Sequence, residues 1–496
     1  MIKRLTCLLL AAIMLLSFAS CAASDAPDDG EIGNTEQDPA TDVTDPAETE
    51  LTRANTPDSL PADLNFNEEI INIFYFGSDD SNNYDAIGDM GGDIVLDAVY
   101  QRNLVTEERL NVKLNWIKGS GDWDGFPQEV LNALTAGVSD YDLIMEENSR
   151  AFQHTLRGFF VNLSDAKHLD LSQPWWYADM MSEGSIDNNK RYFVTGDLTL
   201  TTLFGASAIY FNKEIFTNYF GDVNAIYDHV LNGTWTHDVL AEYCVGVYND
   251  LNGDQKVNAG DLIGFEYEQW GIPNYLSMST GLTFSKRDAD GLPVMDLYTE
   301  ESIAWGQMLY KLLYTDNISI QGDKTASFLD SKNLFLISLF NTAPQLRDSS
   351  FEYGLLPYPK LNESLDYMSA AGTVNGNAVA IPVAAPIEKM DATTAAIESL
   401  CAEAYRKVVP AWYDTALKIK YLESEIDAQM VDVIYDSIAS SFIMMADKEM
   451  GIGSIFTNAV YGSGNDGAFS SYYAKMEKSL VKKWDTMIKT YLELDS

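Results

Sequence analysis

Basic residues are scarce in this chain of 496: 32 lysines and arginines stand against 74 aspartates and glutamates, for a formal net charge of −42 at pH 7. So acidic a surface repels phosphate backbones and anionic lipid headgroups, which excludes nucleic acid as a partner. Histidine is nearly missing as well. His154, His168, His229 and His237 are the only four, and none stands at metal-ligand spacing from a cysteine or another histidine, which argues against a zinc centre. Of four cysteines, Cys7 and Cys21 lie at the N-terminus, and Cys244 and Cys401 are alone in a long body. Two cysteines make no disulfide framework, and their apolar helical contexts predict free buried thiols. Long apolar runs are lacking beyond the N-terminus: Leu334 to Phe340 is strongly hydrophobic but far too short to span a bilayer. No internal repeat is present.

What the chain does have begins at its start. Lys3 and Arg4 precede an apolar run from Leu5 to Phe18, followed by Ala19, Ser20 and Cys21. A short basic region, a brief hydrophobic stretch and small residues before a break have the pattern of a secretory signal. With cysteine first after the cut, the segment resembles the lipobox of bacterial lipoproteins, although Phe18 stands where that pattern usually has leucine. The resemblance implies diacylation of Cys21 and mooring on the extracellular face of the plasma membrane; an ordinary signal peptide cut nearby is the plainer alternative. From Ala22 to Thr52 there are ten acidic residues and no basic one, interleaved with Thr, Pro, Ala and Gly. Such composition forms no core and extends by self-repulsion. The expected layout is a signal peptide over 1–21 and a disordered acidic tether over 22–63, with folding from about Leu64. Without Lys3 and Arg4 the charge is −44, and setting the ten tether acids aside leaves about −34 on the folded part.

The body of about 430 residues suits two or three domains. With 46% hydrophobic and 12% aromatic residues over the whole chain, it has ample material for a core. Ile70 to Phe76 predicts a buried strand, Ile94 to Leu110 carries apolar residues at helical spacing, and Val112 to Ile117 alternates like a strand. A helix from Pro127 to Ala136 leads through Gly137 to a strand at Tyr141 to Met145. Alternation of this kind predicts a parallel sheet with covering helices. Further on, short strands are expected at Arg191 to Thr195, Ser207 to Phe211 and Ala378 to Pro382. Helices are expected from Lys213 and at His237 to Tyr248, Ile303 to Leu313, Thr393 to Lys407, Ile426 to Ser440 and Phe469 to Leu494. Strands that reappear after a long helical middle are what a polypeptide shows when it crosses between two lobes more than once.

Five stretches carry a family resemblance: Leu134 to Ile144, Pro174-Trp-Trp176, Gly196-Asp197 followed by Ile209 to Phe216, Gly233 to Thr236, and Tyr353 to Lys360. In order and spacing, from about Ile70 to at least Tyr421, they resemble the extracellular solute-binding proteins of bacterial ABC importers, in the large class with sugar and oligosaccharide binders. The resemblance implies an α/β chain of two lobes, periplasmic-binding-protein-like (a Venus flytrap), joined by hinge crossings with a ligand gripped between them. The crossings are expected near Asp197 to Gly205, near Ser369 to Pro382, and after Tyr421. The first lobe then takes 64–200 plus about 370–425, and the second 201–369 plus about 426–496. The function this implies is reversible capture of a small-molecule solute, a carbohydrate, and delivery to ABC permease subunits, with no covalent chemistry.

Sugar rings pack apolar C–H faces on flat aromatics while their hydroxyls seek carboxylates and amides. Trp123 and Trp270 sit in polar loop contexts, and Trp175 and Trp176 follow Pro174 as a pair that serves either ligand or packing. Trp116, Trp412 and Trp484 are expected in the core. Loops at the C-terminal ends of parallel strands favour ligands, which nominates Asp79, Asp80, Glu147, Asn148, Asp197 and Asn375. A separate motif runs from Asp250 to Asp261, with oxygen side chains at loop positions 1, 3, 5, 9 and 12. Calcium needs six to eight hard oxygen ligands, and Asp250, Asn252, Asp254, the Lys256 carbonyl and Asp261 would supply them to a structural calcium ion within a lobe. Gln255 replaces the usual glycine and Asp261 the usual glutamate; a polar turn with no ion is the alternative. Two other functions stay open. A membrane-attached glycoside hydrolase needs two carboxylates about 5 to 10 Å apart, and among so many acids no pair is singled out. A ligand-sensing partner of a signalling receptor would look the same as a transport subunit. Gly462 to Gly467 has the glycine spacing of a dinucleotide loop but no strand before it, and is expected to be a connection.

Overall fold

Seven residues at Glu69–Tyr75 form strand β1, whose inner positions Ile71 and Ile73 are fully buried. The chain returns through helix α1 (Ile94–Leu110), started by Asp93, whose carboxylate accepts the Val95 and Leu96 amides at 2.9 and 3.1 Å, a cap worth about 1 kcal/mol. Asn111, with φ of 50°, ends that helix. Strand β2 (Val112–Lys118) and helix α2 (Gly125–Ala136) follow, and Gly137, at φ 63°, turns the chain into β3 (Leu143–Glu147). Both β2 and β3 pair with β1 in parallel, as the alternation of elements predicts. Helix α3 (Asn148–Thr155) starts directly at the end of β3.

In this computed structural model the described residues are 52–494 apart from 78–83, 122–123, 270, 316, 348, 372–375, 414–423 and 462–468. They belong to a single compact unit, residues 51–496. Within it a second sheet is built on β4 (Ser207–Asn212), buried along its whole length and followed by helix α4 (Lys213–Phe220). Helices α5 (His237–Val247) and α6 (Glu300–Tyr314) cover this region. β5 (Phe335–Leu339) and β6 (Tyr353–Leu356) flank β4 on either side, both antiparallel to it. Next come a two-residue strand β7 (Ser369–Ala370) and β8 (Asn377–Ala380). The latter returns to the first sheet and pairs antiparallel with β3, giving the order β8-β3-β1-β2. The chain continues through helix α7 (Met390–Glu403), which runs into a π-helical turn at Ala404–Val408, then helix α8 (Glu425–Asp436), strand β9 (Ile438–Ala439) and the long helix α9 (Phe469–Leu492).

The places where the chain passes between the sheets lie side by side. β7 and β9 pair in parallel, Ser369 with Ile438 and Ala370 with Ala439, and the Ser207 hydroxyl donates to the Ala370 carbonyl at 3.3 Å. Three crossing segments thus form one narrow junction. Apolar packing continues through it: one buried cluster unites Val95 and Val99 of α1 with Ala208 and Tyr210 of β4 and with Trp412.

Several expectations need correction. The first packed residues come earlier than Leu64: Arg53–Asn55 form a helical turn, and Leu60 is buried against the first sheet's core. Arg191 to Thr195 forms no ladder strand, only an isolated bridge from Val194 to Val379. The expected helix to Ser440 stops at Asp436, because residues 438–439 are drawn into the pairing with β7. Cys244 and Cys401 are free and buried, as expected. Among the described residues no helix is long and apolar enough to cross a membrane.

Candidate functional site

The C-terminal end of β3 meets the beginning of β8, and the residues there define the candidate cleft. Asn148, first residue of α3, donates its backbone amide to the Gly376 carbonyl at 3.1 Å. Its side chain is fully buried, yet neither the amide nitrogen nor the amide oxygen has a partner among the described residues. One residue on, the Asn377 carbonyl accepts the Thr195 hydroxyl at 3.3 Å, and Gly196 bridges to Trp176. Gly196 is required there: a Cβ would stand 2.4 Å from the Trp175 carbonyl and 2.8 Å from the Cys401 sulfur. Trp176 is 5% exposed, and its indole N–H also lacks a partner among the described residues. Trp175 is wholly buried in the core of the first sheet, in the same cluster as Trp176, and its indole N–H likewise has no partner among the described residues.

Across from α3 lie two short helices, Phe442–Met445 and Asp447–Met450. Phe152 and Phe442 meet edge to face with centroids 5.7 Å apart, and Gln153 donates to the Lys448 carbonyl at 3.0 Å. Lys448 also reaches Glu147 at 3.4 Å, while the Ser149 hydroxyl donates to the same carboxylate at 2.5 Å. Burial nonetheless pushes the Glu147 pKa up, against the pull of Lys448. Just before Phe442, the hydroxyls of Ser440 and Ser441 are buried and have no partner among the described residues. Ser441 borders a small enclosed cavity of about 20 Å³ shared with Met278, Met444 and Phe456, room for one water. Arg287 closes this side, donating to the carbonyls of Ser182 (2.6 Å) and Ser185 (2.8 Å) with its guanidinium 5.6 Å from the Phe442 ring centre.

Asp197 is enclosed within the protein. It is 2% exposed, accepts Arg53 Nη2 at 2.9 Å and stands against the Tyr177 hydroxyl; burial raises its pKa to about 7 despite the arginine. Asp79, Asp80, Trp123, Trp270 and Asn375 lie outside the described residues, as does Cys21. The structure therefore brings Glu147 and Asn148 together at the end of β3 and encloses Trp175, Trp176 and Asp197 within the protein. Sequence reasoning missed Ser440, Ser441, Lys448 and Arg287, because nothing local marks them: they reach this region only through long-range folding of the middle and C-terminal parts of the chain. Trp412 and Trp484 are core residues, as expected, and Trp116 is half-buried.

The acidic loop at 250–261 is closed at its base by reciprocal backbone bonds between Asn249 and Leu262, at 2.9 and 3.0 Å. Asp250 accepts the Gly253 and Gln255 amides, and Gln255 takes a left-handed φ of 61° at the position where such loops use glycine. The Asn258 side-chain NH₂ donates to both carboxylate oxygens of Asp254 (3.2 and 3.1 Å) and to the Lys256 carbonyl (2.8 Å). Asp261 is 1% exposed; its Oδ2 accepts the Asn258 amide, and its Oδ1 has no partner among the described residues. Among the described residues no group of three or more His, Cys, Asp or Glu side chains is gathered closely enough to hold a metal by itself. Amide and carbonyl oxygens would have to share the coordination here.

Among the described residues, Asn148, Trp176, Ser440 and Ser441 carry buried neutral hydrogen-bonding groups without partners, and groups of this kind are satisfied by a polar, uncharged partner.

No family model matches the chain, and no curated protein matches it. Solved structures do. The galacto-N-biose/lacto-N-biose I-binding protein of an ABC transporter from Bifidobacterium longum, in complex with lacto-N-biose, has a TM-score of 0.56 at 13% identity, covering 84% of this chain and 98% of that one. An ABC substrate-binding protein from Listeria monocytogenes in complex with cycloalternan gives 0.52 at 12% identity, covering 85% and 99%. UgpB from Mycobacterium tuberculosis, in complex with glycerophosphocholine, gives 0.51 at 15%, covering 79% and 96%. At such identities the likeness establishes the fold: this chain has the two-lobed α/β fold of the solute-binding proteins, one lobe on each sheet, with the junction of β7, β9 and β4 between them.

Proposed function

We propose that this chain is the substrate-binding subunit of an ABC importer and that it captures an extracellular carbohydrate, an oligosaccharide, between its lobes. The observation that carries this reading is the shared fold over 84–85% of the chain with two sugar-complexed binding proteins of that transporter class. The cleft agrees with it. Hydroxyl-rich solutes match neutral buried donors and acceptors better than ionic solutes do, and Glu147, the carboxylate at the rim, already has Lys448 and Ser149 as partners. The neighbour holding glycerophosphocholine shows that the fold alone does not dictate a sugar. Isothermal titration of the full chain with a panel of oligosaccharides tests the reading. Saturable binding of at least one, with the sugar recovered intact, is expected. Silence across the panel together with tight binding of peptides or polyamines would overturn the carbohydrate assignment, and turnover would make the chain a hydrolase.

In this reading lobe one comprises 64–200, with the packed residues 53–63 added, plus about 370–425, and lobe two 201–369 plus about 426–496, a division supported by the strand membership of the two sheets. The chain would be held at the extracellular face of the membrane through a lipid on Cys21 and would hand its cargo to ABC permease subunits. A structural calcium ion would sit in the 250–261 loop. Supporting this are the buried Asp261 oxygen, without a partner among the described residues, and the Asn258 NH₂, which stands where a cation would draw together Asp254 and the Lys256 carbonyl.

A further inference from the structure

One stretch of lobe one, residues 182–190, is held by three separate elements of lobe two. The stretch ends the short helix Ala178–Glu183 and leads to the bridge between Val194 and Val379 of β8. On its own side it is firmly seated. Met181 lies in the core of the first sheet, the Arg191 carbonyl accepts the Leu163 amide at 2.5 Å, and the Val194 amide donates to the Val379 carbonyl at 2.9 Å.

The first hold comes from Arg287, on a hairpin whose strands Ser285–Arg287 and Pro293–Met295 pair antiparallel. Its guanidinium donates to the carbonyls of Ser182, Ser185 and Ile186 at 2.6, 2.8 and 3.2 Å, and to that of Gly291 in its own hairpin at 3.1 Å. A guanidinium presents five N–H donors in one plane, so a single side chain gathers the carbonyls of one lobe while staying fixed to the other. The second hold is a backbone group: the Phe442 amide donates to Glu183 Oε2 at 2.6 Å. The third comes from the end of α9. Tyr491 is 1% exposed, and its hydroxyl lies 2.9 Å from the Ser185 hydroxyl and donates to the Lys190 carbonyl at 3.0 Å. Its ring meets Tyr192 edge to face with centroids 5.5 Å apart, and the Lys190 ammonium donates to the Leu494 carbonyl. These three elements are also tied to one another. Phe442 and Trp484 of α9 stand 5.2 Å apart, the Trp484 indole donates to the Pro293 carbonyl at 3.3 Å, and α9 packs on α6 of lobe two.

We propose that Arg287, Phe442 and Tyr491 clasp residues 182–190, a second tie between the lobes besides the junction of β7, β9 and β4, and that this clasp favours the lobe arrangement described here over an opened one. A hinge rotation that parts the lobes draws these donors away from their acceptors. Contacts made in one arrangement and lost in the other shift the balance between the two by their difference in free energy. Arg287 therefore acts as a positioning residue whose donors are spent on lobe one's backbone. The clasp rests on the two-lobed reading and the lobe division given above, and not on the identity of the solute.

Small-angle scattering and hydrogen exchange of the full chain, both without any sugar, test the clasp. Arg287→Ala should have a larger radius of gyration than the parent. Its amides at 184–190 and at Phe442 should exchange about tenfold faster or more, while β1 and β4 keep the parent's protection. A radius of gyration equal to the parent's would overturn the clasp, however fast 184–190 exchanges. Tyr491→Phe keeps the ring against Tyr192 and removes only the hydroxyl. It should expand the chain in the same sense by less and speed exchange at 185–190, and it decides the matter where the arginine variant does not fold; parental scattering and exchange in it would count against the clasp. Lys286→Ala is the control, since this neighbour on the hairpin pairs with Asp296 of its own lobe at 3.1 Å. It should scatter as the parent does; equal expansion would show that any disturbance of the hairpin parts the lobes and that Arg287 has no special place. Because no solute is added, a sugar panel that fails to bind leaves this result standing.

Discussion

Burial decides what His237 can do. At the start of α5 its imidazole is wholly enclosed 4.7 Å from the ring of Trp305, with neither ring nitrogen partnered among the described residues, and desolvation pushes its pKa down to about 3. An unfolded histidine titrates near 6.5, so between about pH 6.5 and 3 the unfolded chain binds the proton that the folded chain refuses. Stability is therefore lost as pH falls through that window, by about 2 kcal/mol at pH 5. His237→Phe keeps an aromatic ring and deletes no hydrogen bond, so between pH 7 and pH 5 denaturant unfolding should show the variant losing less stability than the parent by about that amount. Equal losses would mean that His237 protonates freely in the fold. Asp197 shows the same dependence on surroundings from another side. The rule about strand ends nominates it as a ligand contact, and in the fold it is 2% exposed and paired with Arg53. Its partner was not legible, because Arg53 arrives from a stretch 144 residues earlier that composition assigns to the tether.

Elements with strong local periodicity were legible nearly to the residue. The helix expected over Ile94 to Leu110 is α1, and the strand before it and the strand after it occupy the expected positions, because capping and alternation are local physics. Elements whose state depends on distant partners were not. Residues 438–439 read as the end of a helix and are instead a strand, since Ser369 and Ala370 compete for their backbone groups. The 250–261 loop lies between these cases: its oxygen spacing was legible, and the fold adds a buried Asp261 oxygen with no partner among the described residues. Added calcium should raise the melting temperature, by several degrees if the ion is held at a hundred times its dissociation constant. Asp250→Ala combined with Asp254→Ala should abolish the rise. A melting curve indifferent to calcium in the parent chain would leave the loop a polar turn.

At the scale of the whole molecule the two-lobed arrangement was legible only through the order of weak motifs along the chain. Composition and periodicity indicate helices and strands but not which strands share a sheet; the antiparallel return of β8 onto β3 depends on residues more than two hundred positions apart. Glu147 and Asn148 were nominated from a strand end and do lie at the end of β3, whereas Lys448, which pairs with Glu147, comes from the C-terminal third and was not legible. Lobes joined by one narrow junction are expected to close on a solute bound between them. Small-angle X-ray scattering of the full chain, with and without a saturating oligosaccharide identified by titration, tests this directly. The account predicts a smaller radius of gyration in the presence of the sugar. Superimposable curves at full occupancy would contradict it.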